Sequence, residues 1–213
     1  MIKKNFKAMI ITSAIIILPI AAGLILWDRL PNEIATHFNT QGVADGFSSK
    51  PFAVFGLPLI LLAVHWICIA ASSLDPKSKN ITGKALTLVL WICPALSLLL
   101  STVTYSFALD YKLNLPVIMN IFFGLLFIVI GNYLPKCRQS YTLGIKLPWT
   151  LNSEENWNYT HRLAGKLWVF GGIAIIFAGY LKLYWLFAVI SAIMVIIPVI
   201  CSYGFYVKHD KIK

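Results

Sequence analysis

The 213 residues predict an all-α integral membrane protein, a bundle of about six transmembrane helices with both termini cytoplasmic, and three observations carry that prediction. The chain is 59% hydrophobic and only 12% charged, with mean hydropathy +0.78, against roughly 25% charged residues in soluble domains. Its apolar residues come in runs of about twenty, the length that crosses a hydrocarbon layer of about 30 Å. Lys and Arg lie at the ends of those runs, and fourteen of the eighteen fall on the N-terminus, the second and fourth connections and the C-terminus. The positive-inside rule places that set in the cytoplasm. The net charge of +10 thus has a topological account. A nucleic-acid-binding face needs clustered cations, so direct nucleic-acid binding is set aside.

The elements follow in order. Lys3, Lys4 and Lys7 precede an apolar run from Ala8 to Trp27; it is longer than the ~7–15 residues of a signal-peptide core and lacks an A-x-A site, so it reads as a retained span, with Pro19 expected to kink it. A polar segment from Asp28 to Lys50 faces outward and leads to a second run, Pro51 to Ser73. The connection Asp75 to Lys84 carries three lysines before the third run, Ala85 to Leu109. A tight turn at Asp110 to Asn114 joins the fourth, Leu115 to Leu134. The fifth run, Leu167 to Leu181, is short, and its helix is expected to begin earlier, within the preceding polar stretch. Lys182 marks a minimal turn before the sixth, Leu183 to Val207. The expected division is residues 1–84, a helix pair carrying an outer loop module at 28–50, and residues 85–213, a four-helix part with a cytoplasmic loop at 131–166.

Cys68, Cys93, Cys137 and Cys201 have no C-x-x-C spacing and read as packed free thiols. Inside the runs only His65 is ionisable near mid-depth. It reads as a donor to a neighbouring helix, with a proton-sensitive site as the alternative. Ion-coupled transport generally places charge at membrane depth, so a transporter or exporter of small molecules or peptides is the second-ranked reading.

Two polar modules remain. In the outer loop, turn formers at Pro31, Asn39, Gly42, Asp45 and Gly46 alternate with Ile34, Phe38, Val43 and Phe47, which predicts a small ordered cap. His37 with Asp45 or Glu33 reads as a hydrogen bond that pins the loop, since one His and scattered carboxylates lack metal-ligand spacing. In the inner loop, Gly144 and Pro148-Trp149 predict an extended or turning segment. Asn152 or Ser153, followed by Glu154 and Glu155, then starts a helix, because a capping side chain and early acids favour an N-terminus. Trp157, His161, Ala164 and Trp168 share one face of it, with Arg162 and Lys166 at headgroup level. An acid–base pairing of His161 with Glu154 finds no nucleophile or second ligand to work with. No enzyme activity, cofactor or metal is therefore expected.

These segments resemble the SdpI/YfhL family of bacterial membrane immunity proteins. The matching blocks are Gly131-Asn132-Tyr133-Leu134-Pro135-Lys136, then Gly144-Ile145-Lys146-Leu147-Pro148-Trp149-Thr150-Leu151, then Trp157 with Thr160-His161-Arg162 and Gly165-Lys166. The outer loop is similar to a short module found ahead of that family, through Leu30-Pro31, His37-Phe38-Asn39, Gly42, Asp45-Gly46 and Lys50. Lys146 stands where the family pattern has Arg, keeping the charge without the guanidinium fork. The resemblance implies a multi-pass protein of the bacterial cell membrane that binds a secreted, membrane-active peptide toxin of the SdpC type. It also implies a signal-transducing role, in which a winged-helix autorepressor is sequestered on the cytoplasmic side. The residues expected to carry these roles are His37, Asn39, Gly42 and Asp45 outside, and Gly144, Lys146, Pro148, Trp149, Trp157, His161 and Arg162 inside.

Overall fold

The computed structural model describes residues 2–81 and 83–210, without the side chains of residues 2–4, 84 and 210. The side chains of Lys3, Lys4 and Lys84, and all of Lys211 and Lys213, which enter the charge count above, lie outside the described residues. Nine elements follow in order: α1 (Ile2–Ile25), β1 (Glu33–Phe38), β2 (Ala44–Ser49), α2 (Leu57–Leu74), α3 (Lys84–Ala108), α4 (Leu115–Tyr133), α5 (Pro148–Asn152), α6 (Glu154–Tyr180) and α7 (Leu186–Phe205). Six of the helices are long and apolar enough to cross a membrane. All backbone groups of such a segment are satisfied within it, as a bilayer interior requires.

Two compact units divide the chain. The first comprises residues 1–73 and 86–115. Its helices are joined at depth by hydroxyl groups: Ser97 donates to the Ile16 carbonyl at 2.8 Å and Tyr105 to the Pro19 carbonyl at 3.1 Å. Thr12 Oγ1 and His65 Nε2 are 3.1 Å apart, and both residues are fully buried, so His65 is a packed polar contact between α1 and α2. At one end of this unit Leu30 and Ile34 pack with Ala53, Val54 and Tyr105. That cluster seats the outer loop, whose ordered cap takes the form of a β-hairpin. The strands are antiparallel, and the register shifts around His37. Six residues each, half polar and broken by Gly46, they give little alternation to read in the sequence.

The second unit comprises residues 74–85 and 116–213. Here α4 and α6 approach closely because glycines recur every seventh residue on both: Gly124 and Gly131 against Gly165, Gly172 and Gly179. A Cβ at Gly172 would lie 2.5 Å from the Gly124 carbonyl oxygen, and one at Gly131 2.8 Å from that of Gly165. Small residues permit this backbone contact, and in lipid such packing replaces the hydrophobic drive. On the other flank Trp168 Nε1 donates to the Met194 carbonyl at 3.0 Å, tying α6 to α7. The turns that end α3 and α6 place Asp110 and Lys182 in left-handed backbone, with φ of 62° and 59°.

Candidate functional site

The long polar stretch of the second unit is a built loop, and nearly every support it receives goes to its main chain. Asp75, just beyond α2, is 5% exposed and has no cation on its carboxylate among the described residues. Its Oδ2 accepts the Tyr141 and Thr142 N–H groups at 2.9 and 2.8 Å and the Thr142 hydroxyl at 2.8 Å, while Oδ1 accepts the Lys77 N–H at 2.7 Å. Burial pushes the Asp75 carboxyl up, but the Thr142 hydroxyl and these three amides outweigh it and hold the group below the usual carboxylate range. The Lys77 ammonium instead donates to Gln139 Oε1. Asn80 Nδ2 donates to the Gln139 carbonyl at 2.8 Å. Gln139 in turn donates to the carbonyls of Thr150 and Leu151, both at 2.8 Å, which ends α5 on a fixed partner.

From the opposite side α6 holds the same loop. Ser153 caps it by accepting the Asn156 N–H, with Glu154 and Glu155 in the first turn, and the helix runs unbroken for 27 residues. Trp157 and His161 stack with ring centroids 4.0 Å apart, and Trp157 donates to the Cys137 carbonyl at 2.8 Å. His161 Nδ1 lies 2.8 Å from the Trp157 carbonyl, and its Nε2 lies 2.9 Å from the Ile145 amide nitrogen. A carbonyl can only accept and an amide N–H can only donate, so the geometry assigns the proton to Nδ1 and the lone pair to Nε2. Both ring nitrogens are thereby used, and the ring is 1% exposed, which leaves no free lone pair for a general base. Gly144 is the hinge of the contact. Its φ is +109°, and a Cβ there would lie 2.5 Å from His161 Nε2 and 2.8 Å from the Trp157 ring.

A second buried network joins α5, α6 and α7. Trp149 Nε1 donates to the Ser202 hydroxyl at 2.8 Å, which donates to Asn156 Oδ1 at 2.9 Å. Asn156 Nδ2 returns a bond to the Ser202 carbonyl at 3.1 Å, and the Thr160 hydroxyl donates to Asn156 Oδ1 at 3.1 Å. Each member satisfies another, the condition under which a buried polar network stabilises a fold.

The expected site residues divide accordingly. Gly144, Trp157 and His161 meet in one contact, and the two side chains are interior, shaping the loop from within. Trp149 is half-buried, while Lys146, Pro148 and Arg162 are exposed. In the hairpin, His37 and Asp45 bond across the strands at 2.5 Å, and both are open to solvent. Asn39 and Gly42 form the turn itself: Asn39 Oδ1 accepts the Gln41 and Val43 N–H groups at 3.0 Å, and Gly42 has φ +80°. Asp75, Gln139, Asn156 and Ser202 went unnoticed in the sequence, because the partners that give them their role lie 46 to 67 residues away. No group of three His, Cys, Asp or Glu side chains able to hold a metal occurs among the described residues. Burial raises the Cys137 thiol above its ordinary value, so it stays protonated.

Residues 136–202 match the family model described as the SdpI/YfhL protein family, and residues 14–62 match a domain of unknown function, DUF1648. The first match begins beside the Cys137 carbonyl held by Trp157 and ends on Ser202; the second spans the hairpin. The chain is similar to the immunity protein SdpI of Bacillus subtilis (strain 168), 28% identical over 216 residues covering 97% of each chain. No solved structure matches. With its six spans, this is a multi-pass protein of the plasma membrane.

Proposed function

We propose that this chain, which carries an SdpI/YfhL domain behind a DUF1648 module, is an immunity protein that protects its cell from a secreted membrane-active peptide of the SdpC type. The observation that carries the reading is the end-to-end similarity to an immunity protein, joined to a polar loop too well supported to be a connector. Protection works by binding, with no covalent chemistry. Both termini face the cytoplasm, and the hairpin faces outward, where His37 and Asp45 are the exposed polar pair. Asp75 bonds the connection after α2 to the one after α4, which favours a single face for both, as the two intervening spans demand. Residues 1–84 carry the outward hairpin and residues 85–213 the inner loop, with Asp75, Lys77 and Asn80 of the first part bonding to the second. On the inner face Lys146, Pro148 and Arg162 are the residues available to a winged-helix autorepressor, with Gly144, Trp157 and His161 holding their geometry.

The test is survival. The chain is expressed in a toxin-sensitive Gram-positive strain, an SdpC-type peptide is added in graded amounts, and membrane potential is followed beside an empty-vector control. Maintained potential and growth are expected. Collapse equal to the control, with the protein present in the membrane, would sink the assignment of this toxin class.

A further inference from the structure

Outside the buried contacts of α6, its first three turns border an open groove of about 580 Å³ lined by Glu155, Asn158, Tyr159, Arg162, Leu163 and Lys166, closed on the far side by Phe205 of α7. Arg162 and Lys166 lie one turn apart, both exposed, and neither makes an ion pair or hydrogen bond with another described residue. The aromatic wall is ordered by the stack of Tyr159 on Phe205, ring centroids 4.9 Å apart.

Depth decides what such a groove meets. At 1.5 Å per residue, Lys166 lies roughly 21 Å along the helix from Tyr180, where α6 ends, less than the ~30 Å of a hydrocarbon core. Its ammonium must therefore reach outward toward the near headgroups and the level of Arg162. The same face of α6 continues beyond Lys166 as Phe170, Ile173 and Phe177, which are 70%, 40% and 63% exposed within a candidate span. Cations and apolar stripe form one continuous surface, polar at the interface and apolar below it.

We infer that this groove is a binding site for an anionic glycerophospholipid, with Arg162 and Lys166 on the phosphate and the acyl chains along Phe170, Ile173 and Phe177. The guanidinium offers a two-pronged donor to phosphate oxygens and Lys166 a point charge. Glu155 sits at the solvent rim, away from the phosphate end. The inference goes beyond immunity and depends only on the membrane-spanning assignment of α6.

The detergent-purified full chain is titrated with dioleoyl phosphatidylglycerol or dioleoyl phosphatidylcholine, and retained lipid is counted by native mass spectrometry. Each interfacial cation contributes about fivefold to binding an anionic surface. The preference for phosphatidylglycerol is thus expected to fall about fivefold in K166Q and about thirtyfold in R162Q/K166Q, to be kept in K166R, and to be unchanged in K112Q, whose charge lies on another connection. Retained phosphatidylcholine and unchanged circular dichroism report that the variants are folded. Equal retention of both lipids by the unsubstituted chain would overturn the site, as would a preference untouched by R162Q/K166Q or lowered equally by K112Q. Displacement of phosphatidylglycerol by millimolar glycerol phosphate would assign the groove to a soluble phosphate and overturn the lipid reading.

Discussion

Alanine at Gly144 isolates the contact on which the inner loop turns. Two costs arise, and the structure separates them. An L-residue at φ +109° is strained, at about 1–3 kcal/mol. The new methyl would also stand 2.5 Å from His161 Nε2, where 3.4 Å or more is ordinary contact. The imidazole cannot retreat without leaving the Trp157 stack, so its bond from the Ile145 N–H is lost. Leaving a buried amide unpaired costs about 1–3 kcal/mol. Gly144→Ala is therefore expected to destabilise the protein by about 2–6 kcal/mol, the sum of those two ranges. In a His161→Ala background the Ile145 bond is already gone, and Gly144→Ala should cost only the strain and the crowding of the Trp157 ring, 2.8 Å from the new Cβ. Unfolding of the four proteins by denaturant titration in mixed micelles, read by tryptophan fluorescence, closes a double-mutant cycle whose coupling should be about 1–3 kcal/mol. If the two substitutions add within about 0.5 kcal/mol, the contact between Gly144 and His161 is not what holds the loop.

Other perturbations separate the remaining supports. Asp75→Asn keeps the shape but turns an acceptor of four bonds into a part-donor, with an expected loss of about 2–4 kcal/mol at neutral pH. Because the folded carboxyl lies below its ordinary value, its contribution is present above the unfolded range near pH ~4 and disappears as pH falls through the folded value; stability followed downward from pH 7 should begin to lose that component below about pH 4 in the parent and not in Asp75→Asn. Gly172→Val, pressed against the Gly124 carbonyl, should cost about 3 kcal/mol or more, whereas Gly204→Ala, with nothing within 4 Å of its Cβ, should stabilise α7 by about 0.5–1 kcal/mol; thermal melts in detergent check both. His37→Ala and Asp45→Ala remove an exposed pair worth about 0–1 kcal/mol, so melting should barely move while toxin protection falls; full protection in both would remove the pair from the toxin-facing surface.

How much of this was legible in the sequence depended on range. The six spans were, because a run of twenty apolar residues is a local signal, and so was the start of α6, because Ser153, Glu154 and Glu155 act within one turn. Trp157 and His161 could be placed on one helix face, yet not assigned to the interior. Their burial requires residues 137–145 to fold back over them, and only Gly144 hints at that. Asp75 was opaque for the same reason: it sits among lysines in a short connection, while the amides it holds are 66 and 67 residues away. The seven-residue spacing of Gly165, Gly172 and Gly179 was not singled out in the sequence, because its meaning lies in a second helix carrying Gly124 and Gly131 at the same spacing. The hairpin strands were hidden by their polarity, although Asn39 and Gly42 marked where the chain had to turn; Asp45-Gly46, a turn signal by sequence, lies within β2 opposite the register shift at His37.

The supports of the inner loop have a consequence for what can vary upon it. Asp75 grips the amides of Tyr141 and Thr142, Asn80 the carbonyl of Gln139, Trp157 the carbonyl of Cys137, and His161 the amide of Ile145. Main-chain atoms, which every amino acid but proline supplies in full, thus fix the path, and it owes little to the outward side chains at Tyr141 and Lys146. The loop is a mount with interchangeable fittings: a descendant could change what it presents by changing those side chains, without having to invent a new backbone to present them.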